Sequence, residues 1–385
     1  MNEIQAKDKQ YVAGTYARFP VTIDHGHGSE VFDTDGNRYI DMGSGIGVTA
    51  LGIADEGWVA AVTAQLSAVQ HMSNLYYTAP CADLAERLCT RTGMDKVFFS
   101  NSGAEANECA VKIARKYAAE SGRHTILTLE NSFHGRTLTT LAATGQEHFH
   151  TLFQPLTPGF VHTPANDIAA LRAAVEEYAP AAVLFECVQG EGGVLPLEED
   201  FVAELARLAA ARDMLLMVDE VQTGNGRTGA LYAYMHYGIT PDVVTTAKGL
   251  GGGLPIGATL MSRKVSAVLG AGDHGSTYGG NPVAAAGACH VLDRLDDTLL
   301  AAVREKAAHA VARLTGARGI KAVTGKGLML GIETEKPAAE VVRACMERGM
   351  LCLTAKTKVR LLPALTIPQE LLDEALDVLL GVCAG

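Results

Sequence analysis

Between about residue 95 and residue 262, short apolar runs alternate with stretches of helical periodicity. KVFFS (96–100) precedes a helix expected over about 103–120, and TILTL (125–129) follows it. AAVLFECV (181–188) leads to a helix expected over about 198–212, in which Phe201, Leu205 and Leu208 recur at helical spacing. MLLMVDE (214–220), DVVTTA (242–247) and ATLMS (258–262) complete the series. Such alternation implies an α/β chain, with a mainly parallel sheet flanked by helices. The two ends of the chain read differently. EVFDTDGNRYIDM forms a hairpin with Asp35-Gly36 at its turn. Beyond residue 283 a helical stretch runs to about 315. It is followed by GIKAVTGKGLMLGIET, a helix near 337–349 and KVRLLPALTI. Residues 1–50 and 283–385 are therefore expected to form one smaller α+β region against a large domain of residues 51–282.

Two charged residues stand at the ends of apolar runs. Asp219 closes MLLMV, and Lys248 closes DVVTTA before a run of glycines. Neighbouring parallel strands would present both side chains at their carboxyl ends, where open α/β sheets bind ligands. A lysine and a carboxylate placed there suit an aldehyde cofactor that the amine can hold as an imine. The carboxylate would keep the ring nitrogen protonated, which deepens the electron sink. Pyridoxal 5′-phosphate answers that description. The stretch from Val243 to Ser262 carries no charge other than Lys248. Partial burial there would lower the amine pKa from about 10.4 and free it for proton transfer.

Other segments supply matching parts. Asn101-Ser102-Gly103-Ala104-Glu105 joins a strand to a helix, with Ser102 as N-cap and free amides that could seat a phosphate. Gln222 could donate to a ring oxygen. Phe133 could stack on a ring, and Arg136 could fork onto a carboxylate. Glu191 lies between glycines (190–193). Arg360 is the only charge between Lys358 and Glu370, and a buried guanidinium needs an anion.

Composition narrows the field. Apolar residues make up 48% of the 385 and charged residues 19%, enough for a large core. A net charge of −11 argues against nucleic acid or an anionic membrane as partner. The eight cysteines contain no Cys-x-x-Cys and read as reduced thiols. No signal-like segment or membrane-length apolar run is present, so a cytoplasmic protein is expected. Gly224-Asn225-Gly226-Arg227-Thr228-Gly229 matches a dinucleotide fingerprint. The acid expected ~20 residues on would be Asp242, which begins its strand instead of ending it, so that reading fails. Gly325-Lys326-Gly327 lacks the remainder of a P-loop. His25/His27 and His148/His150 have no companions that would complete a metal site.

The ordered motifs NSGAEAN, FHGRT, VQGEGG, DEVQTGNGRTG, TTAKGLGGGLPIGA and STYGGNP resemble the class III pyridoxal-phosphate-dependent aminotransferases. HMSNLYYTAPCADLAERL and LYAYMHYGITPD resemble their acetylornithine-converting branch. The likeness extends from about residue 16 to 368. It implies the fold-type I architecture and a homodimer with shared active sites. It further implies Lys248 as the imine lysine, Asp219 on the pyridine nitrogen, Gln222 on the ring oxygen and Phe133 stacked on the ring. Ser102, Gly103 and Ala104 would seat the phosphate, and Thr277 would reach the phosphate of the neighbouring subunit's cofactor. Arg136 would bind a substrate carboxylate. Glu191 would neutralise Arg360 while an ω-amino donor is bound, then swing away so that Arg360 grips the α-carboxylate of glutamate or 2-oxoglutarate. The implied reaction moves the δ-amino group of N2-acetyl-L-ornithine to 2-oxoglutarate, in arginine biosynthesis.

Two segments depart from the family pattern. Glu186-Cys187 stands where Glu-Pro is usual, and Leu51–Glu56 replaces Leu-Gly-His-x-His-Pro. The second touches the substrate entrance and leaves other ω-amines open: ornithine, succinylornithine, succinyldiaminopimelate or 4-aminobutyrate. A pyridoxal-phosphate aminomutase would have no use for the Glu191–Arg360 pair. A cofactor-free binding protein would be colourless.

Overall fold

The computed structural model describes residues 2–385. Its centre is a seven-stranded sheet. Across it the strands run Lys96–Ser100, Gly257–Met261, Val243–Thr246, Leu215–Asp219, Ala182–Phe185, Ile126–Leu129 and Phe160–Thr163. Every pairing from Val243–Thr246 to Phe160–Thr163 is parallel. Gly257–Met261 is antiparallel to both of its neighbours. Its residues are buried throughout, so its composition carries no sign of its direction.

Alternation along Leu215–Asp219 divides the core in two. Leu216 and Val218 join Phe201 and Leu205 of the helix Glu199–Ala211 on one face. Leu215 and Met217 join Ala110 and Ile113 of the helix Gly103–Tyr117 on the other. A strand covered on both faces must be apolar at every position, as this one is up to its terminal Asp219.

The ends of the chain meet. Glu30–Asp33 and Arg38–Asp41 form the expected hairpin, with Gly36 at φ +83 in the turn. Met350–Leu351 adds to it in parallel. A second small sheet, Ile320–Lys326, Met329–Thr334, Lys358–Leu361 and Leu353–Ala355, is antiparallel. Ile40 and Met42 share a core with Ile332, Val359 and Leu376. The helical stretch after residue 283 is two helices, Pro282–Arg294 and Asp297–Leu314, because Asp296 caps the second through the Leu299 amide.

The unusual Leu51–Glu56 segment has a structural role. Asp55 caps the helix Glu56–Ala68 by accepting from the Trp58 amide at 2.9 Å. Its carboxylate also takes His290 and Arg294, each at 3.0 Å, from the helix Pro282–Arg294. All eight cysteines are free. Among the described residues no helix is long and apolar enough to cross a membrane.

Candidate active site

Asp219 and Lys248 meet at the carboxyl edge of the large sheet. Asp219 ends its strand opposite Thr245 of the parallel neighbour. Lys248 follows that neighbour in a single 3-10 turn, Lys248–Leu250, at φ +45. A left-handed lysine costs on the order of 1 kcal/mol, a strain typical of functional positions. Its side chain points into a cavity of about 610 Å³. Among the described residues the amine has no hydrogen-bond or ion-pair partner. Burial lowers its pKa, opposed by Glu191 and Asp219 and assisted by Arg360.

Asp219 is buried and held by three donors: the Val221 amide at 3.0 Å, Asn107 Nδ2 at 2.8 Å and His134 Nδ1 at 2.8 Å. Thr245 Oγ1 donates to Asn107 Oδ1 at 2.7 Å, which fixes the amide so that its NH2 faces Asp219. Among the described residues His134 Nε2 is buried without a partner. These three donors fix the Asp219 carboxyl at the sheet edge, where it can face a cationic ring nitrogen.

The start of the helix Gly103–Tyr117 forms the far wall of the cavity. Ser102 caps it through the Glu105 amide at 3.2 Å. The Gly103 and Ala104 amides are left without acceptors among the described residues, and both residues line the cavity. Gly103 is required there, because a Cβ would lie 2.6 Å from Val221 Cγ1. Free amides at the positive end of a helix form an anion seat.

Phe133, Arg136 and Gln222 also line the cavity. The Arg136 guanidinium lies over the rings of Phe133 (5.5 Å) and Phe149 (4.2 Å), so it is steered by aromatic faces. Beside Gln222, Arg360 Nη1 donates to Glu191 Oε1 at 2.7 Å and to Gln222 Oε1 at 3.1 Å. The Arg360 side chain is only 4% exposed. A guanidinium has donors only, so it draws the Gln222 oxygen toward itself and leaves the Gln222 NH2 free to donate elsewhere. Thr277 lies outside this cavity, exposed in a separate recess with His71, Asn74 and Leu75.

Sequence reasoning gave no role to Asn107, His134, Glu186 or Tyr16, all of which reach the cavity. Asn107 and His134 stand inside the motifs NSGAEAN and FHGRT. Their polarity within otherwise buried stretches was the available signal. Glu186 follows the strand Ala182–Phe185, and burial pushes its carboxyl up to about 7.

A buried unpaired amine, a buried carboxylate, two free helix-start amides and an aromatic face surround one cavity. These residues fit pyridoxal 5′-phosphate, whose aldehyde, ring nitrogen, phosphate and ring face need one of each.

Fold and site together define an amino-group transferase. The Aminotransferase class-III family model matches residues 11–382. The chain belongs to the class III aminotransferase family. It is 48% identical to an acetylornithine aminotransferase of Haemophilus ducreyi, over 99% of this chain and 98% of that protein. It is 43% identical to one of Methanothermobacter thermautotrophicus, over 98% and 97%. Among solved structures it is similar to an ornithine aminotransferase of Toxoplasma gondii, with TM-score 0.94, 32% identity, and 99% and 94% coverage. It is also similar to an N-acetylornithine aminotransferase of Stenotrophomonas maltophilia, with TM-score 0.85, 34% identity, and 98% of each chain covered.

Proposed function

We propose that this chain transfers the δ-amino group of N2-acetyl-L-ornithine to 2-oxoglutarate, giving N-acetyl-L-glutamate 5-semialdehyde and L-glutamate. It would do so in cytoplasmic arginine biosynthesis and as a homodimer. The observation that carries the two-substrate reading is the Glu191–Arg360 pair at 2.7 Å beside the Lys248 cavity. The choice of donor rests on relatives at 42–48% identity that bear the acetylornithine aminotransferase name.

When bound, pyridoxal 5′-phosphate supplies an aldehyde that carries the amino group and a ring that draws electrons from the carbon losing its proton. Lys248 would hold the aldehyde. Its amine, whose pKa burial lowers, would move the proton at the substrate carbon. Asp219, oriented by Asn107 and His134, would hold the ring nitrogen protonated. Phe133 would cover the ring, the Gln222 NH2 would meet the ring oxygen, and Ser102, Gly103 and Ala104 would take the phosphate together with the partner subunit's Thr277. Arg136 would bind a substrate carboxylate. With the donor bound, Glu191 neutralises Arg360. With glutamate or 2-oxoglutarate bound, Glu191 leaves and Arg360 takes the α-carboxylate.

The test is a panel of ω-amines with 2-oxoglutarate as acceptor, read as glutamate formed. N2-acetyl-L-ornithine should give the highest kcat/KM, above ornithine, succinylornithine, succinyldiaminopimelate and 4-aminobutyrate. A higher value for any other amine would reassign the donor. Turnover without an oxo acid would favour an aminomutase.

A further inference from the structure

Glu186 sits where the strand Ala182–Phe185 ends, buried at the cavity wall. Its two oxygens take different partners. Oε2 accepts the Phe133 amide at 3.0 Å, and Oε1 accepts the Gly190 amide at 3.2 Å. Phe133 carries the aromatic face of the cavity, and Gly190 precedes Glu191. The segments are in close contact elsewhere. Gln189 Nε2 donates to Glu130 O at 2.8 Å, and a Cβ on Gly192 would lie 2.5 Å from Asn131 O. On its other side Gly190 faces Gln222, with no room for a side chain, since a Cβ would lie 2.3 Å from Gln222 Oε1. That same oxygen accepts from Arg360. Gly190 is thus seated between the Glu186 carboxylate and the amide that touches Arg360.

We propose that Glu186 is a positioning residue that ties the Phe133 segment to the Glu191 loop, so that ring cover and carboxylate exchange are coupled. The proposal rests on the roles given above to Phe133 and Glu191. Ionised, as it is above about pH 7, Glu186 accepts through both oxygens and donates through neither. Glutamine has the same shape, but its NH2 would oppose one of the two backbone N–H groups. The tie holds Glu191 where it meets Arg360, the arrangement that the ω-amino donor requires. Losing the tie releases Glu191 and leaves the arrangement that glutamate requires intact.

The experiment compares the native holoenzyme with Glu186→Gln by amide hydrogen exchange and by the two half-reactions measured separately. Exchange should rise about fivefold or more in peptides covering both 130–136 and 188–193, the loss expected for a buried hydrogen bond. The KM for N2-acetyl-L-ornithine should rise about fivefold while that for glutamate stays within twofold, because only the first needs the held loop. Adding 2-oxoglutarate to the wild-type holoenzyme should alter exchange in both segments. In Glu186→Gln it should alter 188–193 alone. A substitution that raises exchange in one of the two segments only, a wild-type 2-oxoglutarate response confined to one segment, or equal losses in the two half-reactions overturns the coupling. If the variant does not fold, the wild-type measurement decides, and a 2-oxoglutarate response confined to 188–193 refutes the tie. The exchange readings do not depend on which amine is the donor, so a reassigned donor would leave this test standing.

Discussion

Arg360 is the residue on which the two-substrate reading turns. It is buried, and among the described residues its Nε has no partner and its one carboxylate is Glu191, which is 32% exposed. Arg360→Ala should slow the glutamate half-reaction by about 100-fold, the scale of a lost buried charge pair. The acetylornithine half-reaction should fall less than tenfold. Single-turnover rates in each direction check this, and equal losses would contradict the exchange. Glu220, buried next to Asp219, gives a pH signature. Burial pushes Glu220 up to about 7, although its oxygens accept from Thr223 Oγ1 and the Tyr234 amide. A carboxyl whose folded pKa exceeds its unfolded value favours the folded state most when protonated. Stability from this group is therefore greatest below about pH 4.5 and falls as pH rises toward about 7. Glu220→Gln keeps the Tyr234 bond and can donate to Thr223. Its Tm relative to wild type should therefore climb between pH 5 and pH 8, and a pH-independent difference would refute the assignment. Lys248 and Asp219 were legible in the sequence because each ends an apolar run. Asn107 and His134 were not legible as a pair, because they meet Asp219 from 112 and 85 residues away in sequence.

At the level of elements, strands and helices followed from periodicity and caps, whereas direction did not. Gly257–Met261 is buried on both faces, as parallel strands are, yet it runs antiparallel. Direction is set by the connections, and those carry little pattern. The expected helix from about 283 to 315 broke for a local reason: Leu295 leaves helical geometry and Asp296 restarts the chain as a cap. Asp55 shows how one departure from the family pattern is put to use, since it caps one helix and pairs with two cations of another. Asp55→Ala should lower stability by about 1–2 kcal/mol, the value of a lost cap with a modest ion-pair contribution. Thermal or urea unfolding measures this. An unchanged midpoint would mean that the contacts contribute nothing net.

On the scale of the whole molecule, one chain gathers every proposed site residue at the carboxyl edge of its large sheet except Thr277. That residue is exposed, next to Tyr278 (61% exposed) and in one recess with Leu75 (86% exposed). Under the homodimer proposal these side chains are covered by a second copy, and Thr277 completes the partner's phosphate seat. Thr277→Ala should then weaken cofactor affinity by about tenfold, the scale of a charge-assisted hydrogen bond, although the residue lies outside its own chain's cavity. Unchanged affinity in equilibrium dialysis would count against a shared site. Everything proposed for this chain depends on Lys248 carrying the cofactor. The direct measurement is borohydride reduction of the native holoprotein, followed by proteolysis and peptide mass spectrometry. The expected result is a single pyridoxyl-phosphate adduct on the peptide containing Lys248, absent from Lys248→Ala. An unmodified Lys248 peptide, or an adduct on another lysine, would contradict it.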